Sequence, residues 1–304
     1  MGKRKAGSEM APPSKTKTDT DQEDESDSDD TASLLNVDFE YFDPQPAIDF
    51  HGLKTLLRQL LDIDAQLFDL SALADLILSQ PTLGSTVKCD GNESDPNAFL
   101  TVLNLRQHRD VPVVKDLTRY LLSKAGGMEG MKGLKSLLDG DSDSQVGLIL
   151  TERFINMPHA TVPPMYNMLQ EETRWAIDDG EPYSFTHYLV VSKTYREVAS
   201  QLDAEMGDGQ MAPPPSKKAK AKKGAGASAE EEVFYFHPED EVLQKHAMGF
   251  AGYDYTKQSE GGASDSKRAF QDVGVKPQGH MILIEAKQFE DAVKAVGKYL
   301  GTGE

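Results

Sequence analysis

Apolar residues at strand spacing alternate with apolar residues at helix spacing along most of this chain, and that alternation limits the fold more than any other feature. Val37, Phe39 and Tyr41 share one face of a period-two run over 37–42, which Pro44 and Pro46 close. Leu53, Leu56, Leu57, Leu60 and Leu61 then recur at helical spacing, with Asp49 placed to cap the start. A second helical stripe, Leu70, Leu73, Ala74 and Ile77, stops at Pro81. Strands are expected over 82–89 and 98–105, joined by a polar turn at 90–97 that is too long for a tight hairpin. Val114, Leu117 and Leu121 mark a helix that Gly126 and Gly127 end, and a short apolar stretch follows at 134–138. A strand over 146–155, a helix over 165–177 carrying the sole tryptophan, Trp175, and a strand over 183–191 come next. After a break the pattern resumes with 233–236, a helix from Pro238, a strand at 281–285 and a helix presenting Phe289, Ala292, Val293, Val296 and Leu300 on one face. Strands alternating with helices predict an α/β (α+β) layer fold.

Two segments fall outside this pattern. Residues 1–33 carry few large apolar side chains and a dense acidic run from Asp19 to Asp30, so nothing offsets the entropy of ordering them, and a disordered acidic tail is expected. Residues 204–230 hold Pro213-Pro214-Pro215, five lysines and a Gly/Ala/Ser run, the composition of a disordered insertion. The stretch beyond it is too short to build a core alone, so 34–203 and 231–300 are expected to form a single domain.

Acidity extends into the folded part. Of the net charge of −18, residues 1–33 contribute −4 and residues 204–232 contribute zero, which leaves −14 on the remainder. Such a potential attracts cations and repels phosphate backbones, so a basic protein is a better partner than naked DNA or RNA. It also keeps a protein soluble, with no partner implied. One cysteine, Cys89, excludes an internal disulfide and reads as a small apolar residue of a β-like run. The N-terminus has no apolar core of a signal peptide, Ala6 departs from a myristoylation site, and no apolar run is long enough to span a bilayer; a soluble intracellular protein with no membrane partner is expected.

Signatures of chemistry are sparse. The glycines and lysine of 127–133 lie at the wrong spacing for a phosphate loop and read as loop flexibility. The seven histidines show no His-x-x-x-His pair, and no metal, cofactor or catalytic residue is expected. The clearest short signals are basic. Lys217, Lys218, Lys220, Lys222 and Lys223 form a compact block, with Lys3, Arg4 and Lys5 as a second; both read as nuclear-localisation candidates, with an idle lysine run as the alternative. Ser26 and Ser28 sit among acids, a setting for phosphorylation by acid-directed kinases. Two acid–aromatic stretches, 37–43 and 234–241, read first as strands with apolar side chains inward and acids outward. Their functional reading is an acidic rim around an apolar centre, suited to a basic partner's arginines.

In order, these pieces resemble the BCCIP family, called the BCP family in fungi. The resemblance rests on Val37-Asp38-Phe39-Glu40-Tyr41-Phe42-Asp43, Asp49-Phe50-His51-Gly52-Leu53-Lys54 and Asp95-Pro96-Asn97-Ala98-Phe99. It continues through Gly147-Leu148-Ile149-Leu150-Thr151-Glu152-Arg153-Phe154-Ile155-Asn156-Met157-Pro158 and Phe234-Tyr235-Phe236-His237-Pro238-Glu239-Asp240-Glu241. What it implies is a nuclear adaptor and chaperone, shuttling to the cytoplasm. Such a protein would escort a basic large-subunit ribosomal protein and engage the nuclear transport machinery and export cargo. The fold it implies resembles the GNAT mixed sheet flanked by helices, without a functional acetyl-CoA loop; 156–160 here lack the glycine pattern of such a loop, and Pro158 has no N–H to donate. Two alternatives remain: an acyl-CoA-dependent transferase by fold analogy, and a nucleic-acid binder acting through the lysine insertion.

Overall fold

Eight strands pair into one mixed sheet in the computed structural model of the chain, which describes residues 37–81, 83–139, 142–197, 233–256 and 275–301. They are β1 (Glu40–Phe42), β2 (Ser85–Lys88), β3 (Ala98–Asn104), β4 (Val146–Arg153), β5 (His187–Glu197), β6 (Val233–Tyr235), β7 (Gly249–Tyr253) and β8 (Val275–Glu285). Their spatial order is β1-β2-β3-β4-β5-β8-β7, with β6 also on β5. Every pairing is antiparallel except β4 with β5. That parallel pair requires a crossover, which α5 (Val162–Asp178) supplies.

Helices cover both faces, which is why β3 and β4 read as nearly unbroken apolar runs. On one face α1 (Pro46–Leu61), α2 (Leu70–Leu78), α3 (Pro112–Ala125) and α4 (Leu134–Leu137) pack with Leu148 and Leu150 of β4 and Met281 and Leu283 of β8. On the other, α5, α6 (Glu239–Leu243) and α7 (Ala286–Tyr299) pack with Ile149, Ile282 and Ile284. Alternate residues of each strand thus feed two separate cores, and the fold is mixed α/β with a mostly antiparallel sheet, as the alternation of elements predicts.

Several local expectations change. Asp49 does not open α1: Pro46 does, with its fixed φ suited to the first turn. Asp49 lies one turn further in. There its carboxylate accepts the Gln45 N–H at 2.8 Å and meets Lys88 Nζ at 2.6 Å, both side chains fully buried. Strand β4 ends at Arg153, and Ile155 is 95% exposed in the turn beyond. β5 and β8 pair over eleven residues, far past the apolar cores expected at 183–191 and 281–285, because polar and Gly/Pro residues such as Ser192, Lys193, Pro277 and Gly279 are carried into the ladder by their neighbours. β7 has no counterpart in the sequence pattern. Its Gly249 lies against Gly130, whose carbonyl any Cβ at 249 would overlap. The 127–133 glycines therefore include one fixed by close backbone approach to an edge strand, which the flexibility reading missed.

Candidate functional site

Strands β4 and β5 hydrogen-bond from Val146↔His187 to Leu150↔Val191 and then part. Beyond the fork β6 takes over the vacated edge of β5, from Thr194↔Tyr235 to Arg196↔Val233. The carboxyl ends of parallel strands are where open α/β sheets hold ligands. Here the chain's own β6 and the turn after it fill the opening.

Charged side chains converge in that fork. Glu152 and Arg153 come from the end of β4, Ser192 and Lys193 from β5, and His237, Glu239 and Asp240 from the turn and helix after β6; all are buried. Lys193 Nζ lies 2.6 Å from one Glu152 oxygen, and His237 Nε2 lies 3.1 Å from the other. Arg153 offers both terminal nitrogens to Glu239, a bidentate pair, and Ser192 Oγ–H donates to Asp240. Helix α1 closes the far side: Gln59 donates to the Arg153 carbonyl at 2.8 Å and its own carbonyl accepts from Lys193 at 3.0 Å.

The titration of these groups follows from their partners. Burial alone would raise the Glu152 carboxyl, but His237 and Lys193 hold it at about 2. Burial would neutralise His237, but Glu152 first, then Glu239 and Asp240, keep its pKa above the ordinary imidazole range. Asp240 goes the other way, raised by burial to about 7 against the pull of His237.

This arrangement corrects the acidic-rim reading of 234–241. Glu239 and Asp240 are 1% exposed and spend their charge on Arg153, His237 and Ser192, so they offer a partner nothing. Of the first acid–aromatic stretch, Phe39 and Tyr41 pack on the second core while Asp38 and Glu40 are at least partly in solvent, as strand alternation predicts. Sequence reasoning missed the fork cluster; its one cue was the pair Glu152-Arg153 inside a run whose pattern placed it in the core.

Other expected positions separate. Cys89 lies just past β2, and its thiol donates to Asn97 Oδ1 at 3.3 Å. Burial and the Asp90 carboxylate push that thiol up, away from the thiolate a nucleophile needs. Lys3, Arg4, Lys5, Ser26, Ser28, Lys217, Lys218, Lys220, Lys222 and Lys223 lie outside the described residues, as does the 204–230 insertion. Among the described residues no group of three His, Cys, Asp or Glu is arranged to hold a metal, and no helix is long and apolar enough to cross a membrane. The helix that follows β4 begins Val162-Pro163-Pro164, and two prolines in its first turn remove N–H donors that a phosphate would need. With β6 in the fork, these residues do not fit an acyl-CoA.

Comparison with known proteins agrees with the motif order. The BCCIP family model matches residues 34–243. Protein bcp1 of Aspergillus fumigatus is 56% identical over 89% of each chain, and Protein bcp1 of Schizosaccharomyces pombe is 51% identical over 85% of this chain and 88% of the relative. Protein BCP1 of Gibberella zeae aligns along the full length of both chains at 49% identity. The crystal structure of BCP1 from Saccharomyces cerevisiae shares the fold, with a TM-score of 0.56 at 23% identity over 93% of this chain and 99% of that one. The chain belongs to the BCCIP family.

Proposed function

We propose that this chain is a non-catalytic nuclear adaptor that escorts a basic protein, a large-subunit ribosomal protein by the family resemblance, during ribosome assembly and nuclear export. The observation that carries this reading is how the charges divide between interior and surface. The described residues hold 30 acidic and 19 basic side chains. Six of those acids and three of those bases are buried, and the acids accept from or pair with groups of this same chain, which leaves 24 against 16 at or near the surface. The interior is electrically closed while the exterior is anionic. A basic protein would meet carboxylates in place of RNA phosphates, and RNA would later compete for the same cations. The basic blocks at Lys3-Arg4-Lys5 and 217–223 would address the complex to the nucleus through the transport machinery.

A tagged full-length chain, mixed with nuclease-treated nuclear extract at low and high salt, tests this. One basic ribosomal protein retained at low salt and released at high salt is the expected result. Equal retention at both, or retention only of nucleic-acid-dependent material, overturns the charge mechanism.

A further inference from the structure

Trp175, the only tryptophan of the chain, is 58% exposed in the last turns of α5. Met168, Glu171, Trp175 and Asp179 follow one another at spacings of three and four residues, so they line one stripe of that helix, with Asp178 beside it. Leu169, Glu172, Thr173 and Ala176 turn inward and fix the orientation. Glu171, Trp175, Asp178 and Asp179 are exposed, and none of the three acids belongs to an ion pair among the described residues. Arg174 is the only Lys or Arg on the helix.

The placement costs the folded chain stability. Asp178 and Asp179 sit at the carboxyl end of a 17-residue helix, where backbone carbonyls already concentrate negative potential and cations are favoured. Burial, and then the charges of Asp43 and Glu171, hold the neighbouring Glu172 carboxyl above its ordinary range, although the Gly84 N–H and the Ser85 hydroxyl donate to it. Carboxylates crowded against a helix dipole around an exposed indole break local rules and gain no ion pair in return among the described residues. Such a breach is expected where an external ligand compensates.

We propose that this face of α5 is the docking surface for an arginine-bearing basic segment of the partner protein. A guanidinium stacks on the Trp175 indole, while Glu171 and Asp179, one turn to either side, pair with flanking cations. Arginine fits better than lysine because its planar, weakly hydrated head both stacks and bonds in a fork. The inference rests on the escort reading and gives it an address on the fold.

Because Trp175 is the sole tryptophan, emission from the full-length protein reports this site directly. Titration with a short arginine-rich peptide should change that emission saturably, and a lysine peptide of equal length and charge should bind more weakly. Trp175→Ala, and separately the double change Asp178→Lys/Asp179→Lys, should weaken retention of RNA-free large-subunit ribosomal proteins by roughly five- to tenfold. Trp175→Phe should recover part of the loss. If wild type retains those proteins in a salt-sensitive way and both variants match it, the escort reading stands and this face is the wrong address. Failure of wild type to retain them removes the escort reading and this inference with it. Sedimentation velocity distinguishes the other occupant: self-association that Trp175→Ala abolishes would make the face a contact between two copies and overturn the proposal.

Discussion

Two of the sites where the structure buries charge solve the problem differently. Asp49 and Lys88 form a single pair, both side chains wholly inside, that ties the start of α1 to β2. Lys88 Nζ also donates to the Asn92 carbonyl at 2.7 Å and sits 5.6 Å from the Phe42 ring centre, so one ammonium fixes α1, β1, β2 and the turn after β2. The fork between β4 and β5 instead gathers three acids, Glu152, Glu239 and Asp240, around Arg153, Lys193 and His237. The pair has one arrangement. The cluster has several, because a proton can reside on Asp240 or His237. A buried pair therefore acts as a rigid joint, whereas a buried cluster spreads the loss of one member over the rest.

The largest expected effect separates the two. Lys88→Met leaves the Asp49 carboxylate without its cation in a dry site and should cost about 3–5 kcal/mol in urea unfolding. Adding Asp49→Leu should restore most of that, since replacing both ions by apolar side chains removes the stranded charge. A double variant no better than the single would mean that the ion pair is not what the mutation damages. In the cluster, Glu152→Gln removes the carboxylate facing two cations, but Glu239 and Asp240 remain close, so a smaller loss of about 2–3 kcal/mol is expected. The same change should lower the His237 pKa, read by NMR titration of its ring protons. An unmoved His237 would show that Glu152 is not what keeps it protonated.

How far the sequence announced these two places follows from what decides each. Strand β4 was legible from Gly147-Leu148-Ile149-Leu150, since burial on both faces needs an unbroken apolar run. The helices were legible from their stripes. His237, Glu239 and Asp240 were not, because charged residues next to aromatics look the same whether they face water or a buried Arg153 more than eighty residues away in sequence. Lys88 was equally silent: its partner Asp49 looked like a helix cap, a role set by local spacing, whereas the ion pair is set by packing. Strand β7 escaped for a third reason. Gly249-Phe250-Ala251-Gly252-Tyr253 has little intrinsic strand preference and pairs because β8 offers it an edge and Gly130 lets the backbones approach. That contact yields a test of its own: Gly249→Ala should cost about 1–3 kcal/mol by forcing the 129–131 turn off the sheet. A neutral result would show that the edge can give way, unlike either charged site.

A dependence on pH sharpens the comparison most, because only the cluster should show it. Asp240 has an ordinary carboxyl pKa when unfolded and one raised to about 7 when folded. A raised folded pKa means that the native state binds the proton more tightly. Its contribution to stability is fully present below the unfolded value and is lost as pH rises through 7. Glu152, held at about 2, works oppositely and loses its contribution only as pH falls below the ordinary carboxylate range. His280, lowered to about 4 by burial against a carbonyl contact from Ala251, loses its contribution as pH falls from about 6.5 toward 4. Asp240→Asn mimics the protonated acid and keeps an oxygen to accept from Ser192. It leaves Glu152 and His280 in place, so wild type and variant should unfold alike near pH 4. From there to pH 8 wild type should lose stability relative to the variant, by roughly 4 kcal/mol at the alkaline end. Melting temperatures measured across that range check the sign. Parallel curves would place the proton on His237 and leave Asp240 ionised, which would give the fork a single arrangement of charge, like the single Asp49–Lys88 contact.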